Sequence, residues 1–385
     1  MKNMDHGRSL LLFGSGVLGG NVLDLLSWSG FSGEITVAGR NEATLRQRTN
    51  LTRIASYNQG RYPRLATRLV DLNDVDQTAR VIADVRPDII LNTATVQTYW
   101  RISMLPEPTF RALAEAGLGA WLAMHLSPAH RLMTAVRRSG HTAVVVNAAY
   151  PDAVNPALHT RSLAPSIGVG NVMNAVPAIR ASAALLLDAP VRELQIKLVA
   201  HHYVGNRLPA AGDTGGAPFH LRIYQNGSDV TEMVDVAEMF RLLPTELVRT
   251  RGSAGMYVTA SSVVAVIDAL LSPTPVALHA PGPAGLVGGY PVLVSSNGIS
   301  LDLPETCSPE TAIAVNEGGQ VFDGIDRISD SGRVTLTPKA VEIMKRTLGH
   351  DCPEFNVDEC HGVAAELRSR YLAFEARSSH TVSPR

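Results

Sequence analysis

The stretch LLLFGSGVLGGNVLDLL, residues 10–26, sets four closely spaced glycines between two apolar runs. The first run is continuous and of strand length, which is typical of a parallel strand that is covered on both faces. After the glycines, Leu18, Val22, Leu25 and Leu26 fall on one face of a helix. The stretch therefore predicts a strand, a glycine turn and a helix, in that order.

The glycine turn matches the pattern GxGxxG, a fingerprint of dinucleotide binding. In that fingerprint the first glycine permits a tight turn, the second lets the backbone approach a pyrophosphate, and the third allows the helix to pack closely on the strand. The free N–H groups and the positive dipole end of the helix also favour phosphate. A turn from strand to helix that binds no ligand is the alternative. We predict dinucleotide binding by Gly14, Ser15, Gly16, Val17, Leu18 and Gly19.

The end of the second predicted strand bears on which dinucleotide is bound. EITVAGR, residues 34–40, has the sequence of that strand, and Gly39, Arg40 and Asn41 stand where an acidic residue would bind the ribose 2′-hydroxyl of NAD. Arg46 and Arg48 add basic character. Because a cation suits a 2′-phosphate, these residues favour NADP(H) over NAD(H). A surface arginine at the end of a strand is the alternative interpretation.

Strands and helices continue to alternate through the first half of the chain. PDIILNTAT, residues 87–95, reads as a buried strand, and its small residues Thr93 and Ala94 leave room for a cofactor at the carboxyl end. TAVVVNAAYPD, residues 142–152, is another buried strand and contains Asn147. This alternation predicts a parallel sheet with helices on both faces.

The sequence pattern changes after about residue 165. Residues 191–205 read as one long strand, so that the adjacent His201 and His202 would point to opposite faces. Residues 290–304 form a hairpin around Asn297-Gly298. We predict an α/β protein: a Rossmann doubly wound domain in residues 1–165, an α+β substrate domain with antiparallel hairpins in 166–376, and a flexible tail in 377–385.

Composition excludes several classes of function. The chain of 385 residues has a formal net charge of −1 and no long run of like charges, so neither nucleic acid nor a membrane surface is an expected partner. We expect no signal peptide and no bilayer-crossing segment. Three cysteines without CxxC spacing suit a reducing cytoplasm. We expect no catalytic metal, because no histidine or carboxylate cluster has the spacing of ligands.

Several stretches resemble the lactate/malate dehydrogenase family, in the order and spacing of that family: RPDIILNTATVQTYW, VVVNAAYPDAVNP, LAPSIGVGNVMNAVPAIR, VAHHYVGNRLP and GGYPVLVSSNGISLDL. The resemblance covers most of the chain. The N-terminal stretch VAGRNEATLRQR is also similar to the NADP-binding half of saccharopine dehydrogenase-type proteins.

The resemblance implies a set of catalytic positions. Arg101 matches the arginine that polarises the substrate carbonyl, and His202, with His201 as the alternative, matches the catalytic histidine. Asn174 takes the place of the aspartate that pairs with this histidine, and Pro177 replaces the arginine that binds the substrate carboxylate. Arg180, one turn later, is a substitute for that arginine. Either Asn147 or Tyr150 matches the asparagine after the fifth strand.

These departures bear on the expected function. Without the carboxylate-binding arginine, a simple lactate- or malate-like substrate is not expected. The resemblance then implies an NADP(H)-dependent oxidoreductase, usually a homodimer or homotetramer, that acts on a small carbonyl or alcohol in a cleft between two domains, with a place in specialised metabolism. Reductive amination of the opine or saccharopine type is one alternative. A non-catalytic NADP(H)-binding sensor is the other.

Overall fold

A computed structural model describes residues 8–250 and 252–380 of the chain. Its N-terminal half is built on a parallel sheet of six strands in the order β3-β2-β1-β4-β5-β6. The sixth strand lies just beyond residue 165, the predicted end of the domain. The strands are β1 Ser9–Phe13, β2 Glu34–Gly39, β3 Arg64–Leu69, β4 Ile89–Asn92, β5 Val144–Asn147 and β6 Ile167–Gly168.

Helices connect these strands and cover the sheet, as the alternation of the sequence predicts. Two short 3₁₀ segments, Tyr99–Met104 and Leu118–Trp121, flank α4. The helices are α1 Val17–Ser29, α2 Glu42–Asn58, α3 Val75–Val85, α4 Glu107–Ala114, α5 Leu122–Ser139 and α6 Pro151–His159.

The second half adds three antiparallel sheets of three strands, β7-β8-β9, β10-β11-β12 and β13-β14-β15. The hairpin predicted at Asn297-Gly298 is confirmed, since Ser295 pairs with Gly298. The elements are α7 Val172–Leu187, β7 Leu194–Val199, α8 His202–Ala211, β8 His220–Gln225, β9 Ser228–Asp229, α9 Val236–Arg241, α10 Gly252–Leu271, β10 Val276–Pro281, β11 Gly289–Ser295, β12 Gly298–Leu301, α11 Pro309–Phe322, β13 Ile325–Ile328, β14 Arg333–Leu336, α12 Pro338–Leu348, β15 Glu354–Asn356 and α13 Cys360–His380.

Both faces of β1 are buried, and this explains its unbroken apolar sequence. Leu10 and Leu12 pack in a core with Ile267 of α10. Leu11 and Phe13 face the opposite core, which reaches as far as Tyr371 of α13. Elements of the C-terminal half therefore cover the N-terminal sheet on both sides.

The helix α10 is long and apolar enough to cross a bilayer by length and composition alone. A core helix passes the same test, and Val263, Val266 and Ile267 are fully buried in the core that contains α1. The length and composition of α10 therefore contradict the prediction that no such segment is present. The buried residues of this helix nevertheless pack in the core.

The C-terminal end differs from the predicted flexible tail. Residues 377–380 continue helix α13, which begins at Cys360 and buries Leu367 and Tyr371. Residues 381–385 lie outside the described residues.

Candidate functional site

The glycine turn has the geometry that the fingerprint requires. Gly14 has a φ of +106°, a region that favours glycine, and a methyl group on Gly19 would lie 2.0 Å from the carbonyl oxygen of Gly14. A methyl group on Gly16 would meet no atom within 4 Å. Gly14 and Gly19 therefore serve the turn and its packing, whereas Gly16 faces open space at the start of α1. The residues fit a pyrophosphate at this place.

Arg40 is exposed at the end of β2 and, among the described residues, makes no hydrogen bond or ion pair. It is free to bind a phosphate. Arg48 is not, because it pairs with Asp24 and donates to the carbonyl of Gly20 at 2.6 Å. The contribution of Arg48 predicted from the sequence is therefore corrected: this residue holds α2 against α1. Asn41 caps α2 by accepting a hydrogen bond from the Thr44 amide at 2.9 Å.

Thr93 follows strand β4, and Asn147 is the last residue of the neighbouring strand β5. Their side chains make different contacts. The Thr93 hydroxyl donates to the carbonyls of Phe13 at 3.0 Å and Gly14 at 3.2 Å, and so ties the end of β4 to the glycine turn. The amide of Asn147 is fully buried between Asn92, at 3.0 Å, and Asn155, at 2.9 Å. Asn147 is thus committed to a structural network, and the structure does not support the cofactor contact predicted for it.

The two histidines do not lie on a strand. Strand β7 ends at Val199, His201 is the N-cap of α8, and His202 is the first residue of that helix. The prediction that they point to opposite faces is therefore wrong. Both Nδ1 atoms lie near Oδ2 of Asp323, at 2.8 Å for His202 and 3.8 Å for His201.

The hydrogen-bond partner of His202 is Asp323, whereas the family resemblance predicted Asn174. Asp323 follows α11, and its Oδ2 accepts hydrogen bonds from His202 Nδ1 and, at 2.7 Å, from the Tyr150 hydroxyl. Its Oδ1 accepts from the Leu118 amide at 3.1 Å. With Nδ1 of His202 thus donating, Nε2 is left to exchange protons, and it has no partner in the described part of the chain.

A second buried carboxylate holds the start of α8. Asp152, in the first turn of α6, accepts a hydrogen bond from the His202 amide at 2.9 Å and another from the side chain of Asn171. Among the described residues, no lysine or arginine forms a hydrogen bond or ion pair with Asp152 or Asp323. The site therefore has two carboxylates and no basic side chain bonded to them.

The charges of this cluster shift its pKa values in opposite directions. Burial lowers the pKa of His202, but the charge and hydrogen bond of Asp323 outweigh it, so the pKa lies above its ordinary value. Burial raises the pKa of Asp323, and the two histidines with Tyr150 bring it below its ordinary value. The fold thus favours a charged His202–Asp323 pair.

Burial lowers the pKa of His201, despite two nearby carboxylates. Its side chain is fully buried, and its Nε2 has no hydrogen-bond partner in the part of the chain that the structure describes. The side chain of His202 retains 15% of its exposure. Of the two histidines that the sequence left as alternatives, His202 is therefore the more accessible.

Aromatic rings surround the histidine. Tyr150 packs edge to face against both His202, at 5.4 Å, and His125, at 6.0 Å between centroids. Burial and the charge of Asp323 raise the pKa values of Tyr150 and Tyr99, so both phenols stay protonated. Burial and the charge of His202 lower the pKa of His125 to about 4. Neutral groups therefore enclose the charged pair.

Arg101 lies in the segment Tyr99–Met104, but Glu375 of α13 binds its guanidinium. The two groups form a bidentate pair, with Nε–Oε1 at 3.0 Å and Nη2–Oε2 at 2.6 Å. In this arrangement Arg101 has a carboxylate partner of the protein's own, and the structure does not bring it into contact with His202.

Asn174 and Arg180, both on α7, also lie outside the histidine cluster. The amide of Asn174 bonds Thr259 at 2.9 Å and Ser262 at 3.2 Å on α10. Arg180 lines a separate cavity, together with Lys197 and His279. Neither residue bonds His202, so the catalytic roles predicted for them are not supported. Pro177 has no charged side chain that could bind a substrate carboxylate.

Sequence reasoning missed Asp152 and Asp323, and it left Tyr150 as one of two alternatives. YPD, residues 150–152, follows a buried strand at its carboxyl end, and that position was a usable signal. Asp323 had no such signal, because it stands far along the chain in a stretch, VFDGID, that reads as a helix end.

Comparison with solved structures identifies the fold as that of lactate and malate dehydrogenases. The lactate dehydrogenase of Eimeria maxima, solved with NADH and oxamate, is 14% identical with a TM-score of 0.55, over 83% of this chain and 94% of that one. The malate dehydrogenase of Cryptosporidium parvum is 16% identical with a TM-score of 0.53, over 82% and 98%.

A third neighbour is the malate dehydrogenase of Plasmodium falciparum in complex with NADH, 14% identical with a TM-score of 0.51, over 82% of this chain and 98% of that one. No protein-family model matches the chain, and no curated protein matches it in sequence. The likeness is therefore one of fold.

Proposed function

We propose that this protein is a nicotinamide-dinucleotide-dependent oxidoreductase that interconverts a small carbonyl compound and its alcohol. The observation that carries the proposal is the His202–Asp323 pair, which stands close to the end of β5 in a chain that also holds a well-formed glycine turn. The solved neighbours are dehydrogenases, and two were solved with NADH. We further propose a cytoplasmic homo-oligomer that acts in specialised metabolism.

The residues that would hold the dinucleotide are those of the turn from Gly14 to Gly19. The free amides at the N-terminus of α1 would bind the pyrophosphate, and exposed Arg40 would bind a 2′-phosphate, which favours NADP(H). The nicotinamide, when bound, supplies or accepts the hydride. The protein contributes binding, orientation and the proton.

His202 supplies that proton. Asp323 and Tyr150 fix the ring so that Nδ1 points at the carboxylate and Nε2 is free to protonate a carbonyl oxygen or to deprotonate an alcohol. The Asp323 carboxylate stabilises the protonated ring, and the pKa of His202 is raised as a result. Tyr150 keeps water away from the carboxylate by occupying the same oxygen.

The charge of the site indicates the kind of substrate. In lactate- or malate-like chemistry an arginine binds the substrate carboxylate, whereas here, among the described residues, no lysine or arginine bonds the carboxylates of the site and Arg101 is paired with Glu375. Two carboxylates disfavour another anion. We therefore favour an uncharged carbonyl substrate.

Two other functions remain as alternatives. The same carboxylates would stabilise a cationic iminium, which, with the N-terminal similarity to saccharopine dehydrogenase-type proteins, favours reductive amination as the second candidate. The missing arginine motivates the third, a protein that binds NADP(H) without turnover.

The decisive experiment separates binding from turnover. NADPH and NADH are titrated by calorimetry into wild type and Arg40→Asp, and NADPH oxidation is then followed with aldehydes, ketones and imines in wild type, His202→Gln and His201→Gln. We expect Arg40→Asp to weaken NADPH far more than NADH, and His202→Gln to remove roughly 99% of turnover or more. Binding without turnover would support the sensor, and absence of binding would refute all three functions.

A further inference from the structure

A cavity that does not include His202 lies between α7, strand β7 and the sheet of β10 and β11. Its volume is about 250 Å³. Its polar lining contains the side chains of Arg180, Lys197, His279, Asp302 and Gln195. None of these residues bonds Asp152, Asp323 or either histidine of the candidate site.

Arg180 has no partner within the described residues, and its buried Nε–H lacks an acceptor. A guanidinium carries five N–H donors and no acceptor, and its strongest hydrogen bonds are to anionic oxygens. A buried donor without a partner costs free energy. The cavity is the space into which such a partner would fit.

Lys197 stands beside this arginine in the lining. Its ammonium pairs with Asp302 at 2.7 Å, and both side chains are largely buried. The lining therefore contains two cations and one carboxylate, which pairs with Lys197, so that the charge of Arg180 is left unbalanced. An anionic ligand would balance that charge.

His279 contributes a neutral donor. The amide of Leu198 donates to its Nε2 at 3.1 Å, so the ring proton is on Nδ1, which has no partner in the described ranges. The side chain is buried, and burial, then Lys197 and Arg180, lower its pKa to about 3. The ring therefore stays uncharged, and its Nδ1–H is a donor in a residue that lines the cavity.

We propose that this cavity is a binding site for a small phosphate- or carboxylate-bearing anion, held by Arg180, Lys197 and the Nδ1–H of His279. The volume suits a ligand smaller than a typical cofactor. Asp302 can accept a hydrogen bond from a ligand hydroxyl. This proposal is independent of the nicotinamide chemistry proposed above, since it uses none of the same residues.

The test is a calorimetric titration of the full-length protein with inorganic phosphate and, separately, with succinate, at constant ionic strength. Wild type is compared with Arg180→Gln and Lys197→Gln, which remove each charge. The matched control is Arg192→Gln, at an exposed arginine that makes no hydrogen bond or ion pair within the described residues. Arg40→Gln detects any phosphate that binds at the proposed nucleotide site instead. Circular dichroism verifies that each variant is folded.

We expect saturable binding of at least one probe, a Kd raised roughly tenfold or more in Arg180→Gln and Lys197→Gln, and no change in Arg192→Gln. Preference for phosphate or succinate then distinguishes a phosphoryl from a dicarboxylate ligand. No saturable binding, or binding that only Arg40→Gln weakens, would overturn the proposal. Should Arg180→Gln not fold, Lys197→Gln decides alone.

Discussion

Gly16 and Gly19 stand one helical turn apart, but a side chain would have different consequences at each. At Gly19 a methyl group would lie 2.0 Å from the Gly14 carbonyl oxygen, whereas at Gly16 it would meet only open space. The backbone of Gly16 is extended, with a φ of −72°, and so tolerates any residue. Packing thus requires Gly19, and only a ligand would require Gly16.

We predict that Gly19→Ala lowers the free energy of unfolding by about 1–3 kcal/mol through overpacking. Gly16→Ala should change it by less than about 0.5 kcal/mol and nevertheless weaken NADPH binding. Urea unfolding and calorimetry measure the two effects. If Gly16→Ala binds NADPH as tightly as wild type does, the turn is not the pyrophosphate site.

The pairing of Asp323 with His202 makes the free energy of unfolding depend on pH, and the directions of the two pKa shifts give the sign of that dependence. The folded pKa of His202 lies above its ordinary value, so its contribution is present at low pH and is lost as pH rises through that folded pKa. The folded pKa of Asp323 lies below its ordinary value, so its contribution is lost as pH falls through it. The pair therefore stabilises the protein most between these two values.

In Asp323→Asn we expect the loss of stability on the alkaline side to disappear and the pKa of His202, measured by NMR, to fall. Urea unfolding between about pH 5 and pH 9 detects the first effect. Asp326→Asn, at an exposed aspartate nearby in sequence, is the control and should retain the wild-type profile. An unchanged pKa of His202 in Asp323→Asn would contradict the assigned pair.

At the scale of elements, strand β7 shows where local sequence is insufficient. Residues 191–205 have the composition of one strand, but the chain leaves the strand after Val199 and begins α8 at His202. The carboxylate of Asp152 accepts the His202 amide and so satisfies a donor that the first turn of a helix leaves free. Asp152, far away in sequence, thus supports the start of this helix together with the local cap by His201, whose side chain accepts a hydrogen bond from the Tyr203 amide.

The segment Tyr99–Met104 is held by α13 through Arg101 and Glu375. Because both side chains are partly exposed, we expect Arg101→Gln and Glu375→Gln each to cost about 0.2–1 kcal/mol of unfolding free energy. We also expect equal, small effects on kcat/KM with the best substrate found. Loss of turnover in Arg101→Gln alone would show that Arg101 leaves Glu375 and acts on the substrate.

For the whole molecule, α2 presents an apolar face that the described residues do not cover. Leu51 and Ile54 are each 62% exposed, and Tyr57 is 49% exposed on the same side of the helix. Exposed apolar faces of this kind mark protein–protein contacts. We propose α2 as a contact between copies in the expected homo-oligomer.

The corresponding prediction is that Leu51→Glu combined with Ile54→Glu reduces the oligomer to a monomer, as measured by light scattering after gel filtration. Gln47→Glu, on the same helix, is the charge control and should leave the mass unchanged. A wild-type protein that is already a monomer at micromolar concentration would contradict the proposed contact.

The sequence by itself determined the parallel sheet and the glycine turn, because both rest on local order: apolar runs and fixed glycine spacing. The family resemblance added His202 as a candidate, with His201 as the alternative. Only the tertiary structure decided the partner of His202, since Asp323 is separated from it by most of the C-terminal half. The tertiary structure also places Arg101, Asn174 and Arg180 away from His202, whereas the sequence predicted all three as catalytic residues. Periodicity tells which face of an element is buried, whereas a charged pair depends on which elements meet, and that is fixed by packing of the whole chain.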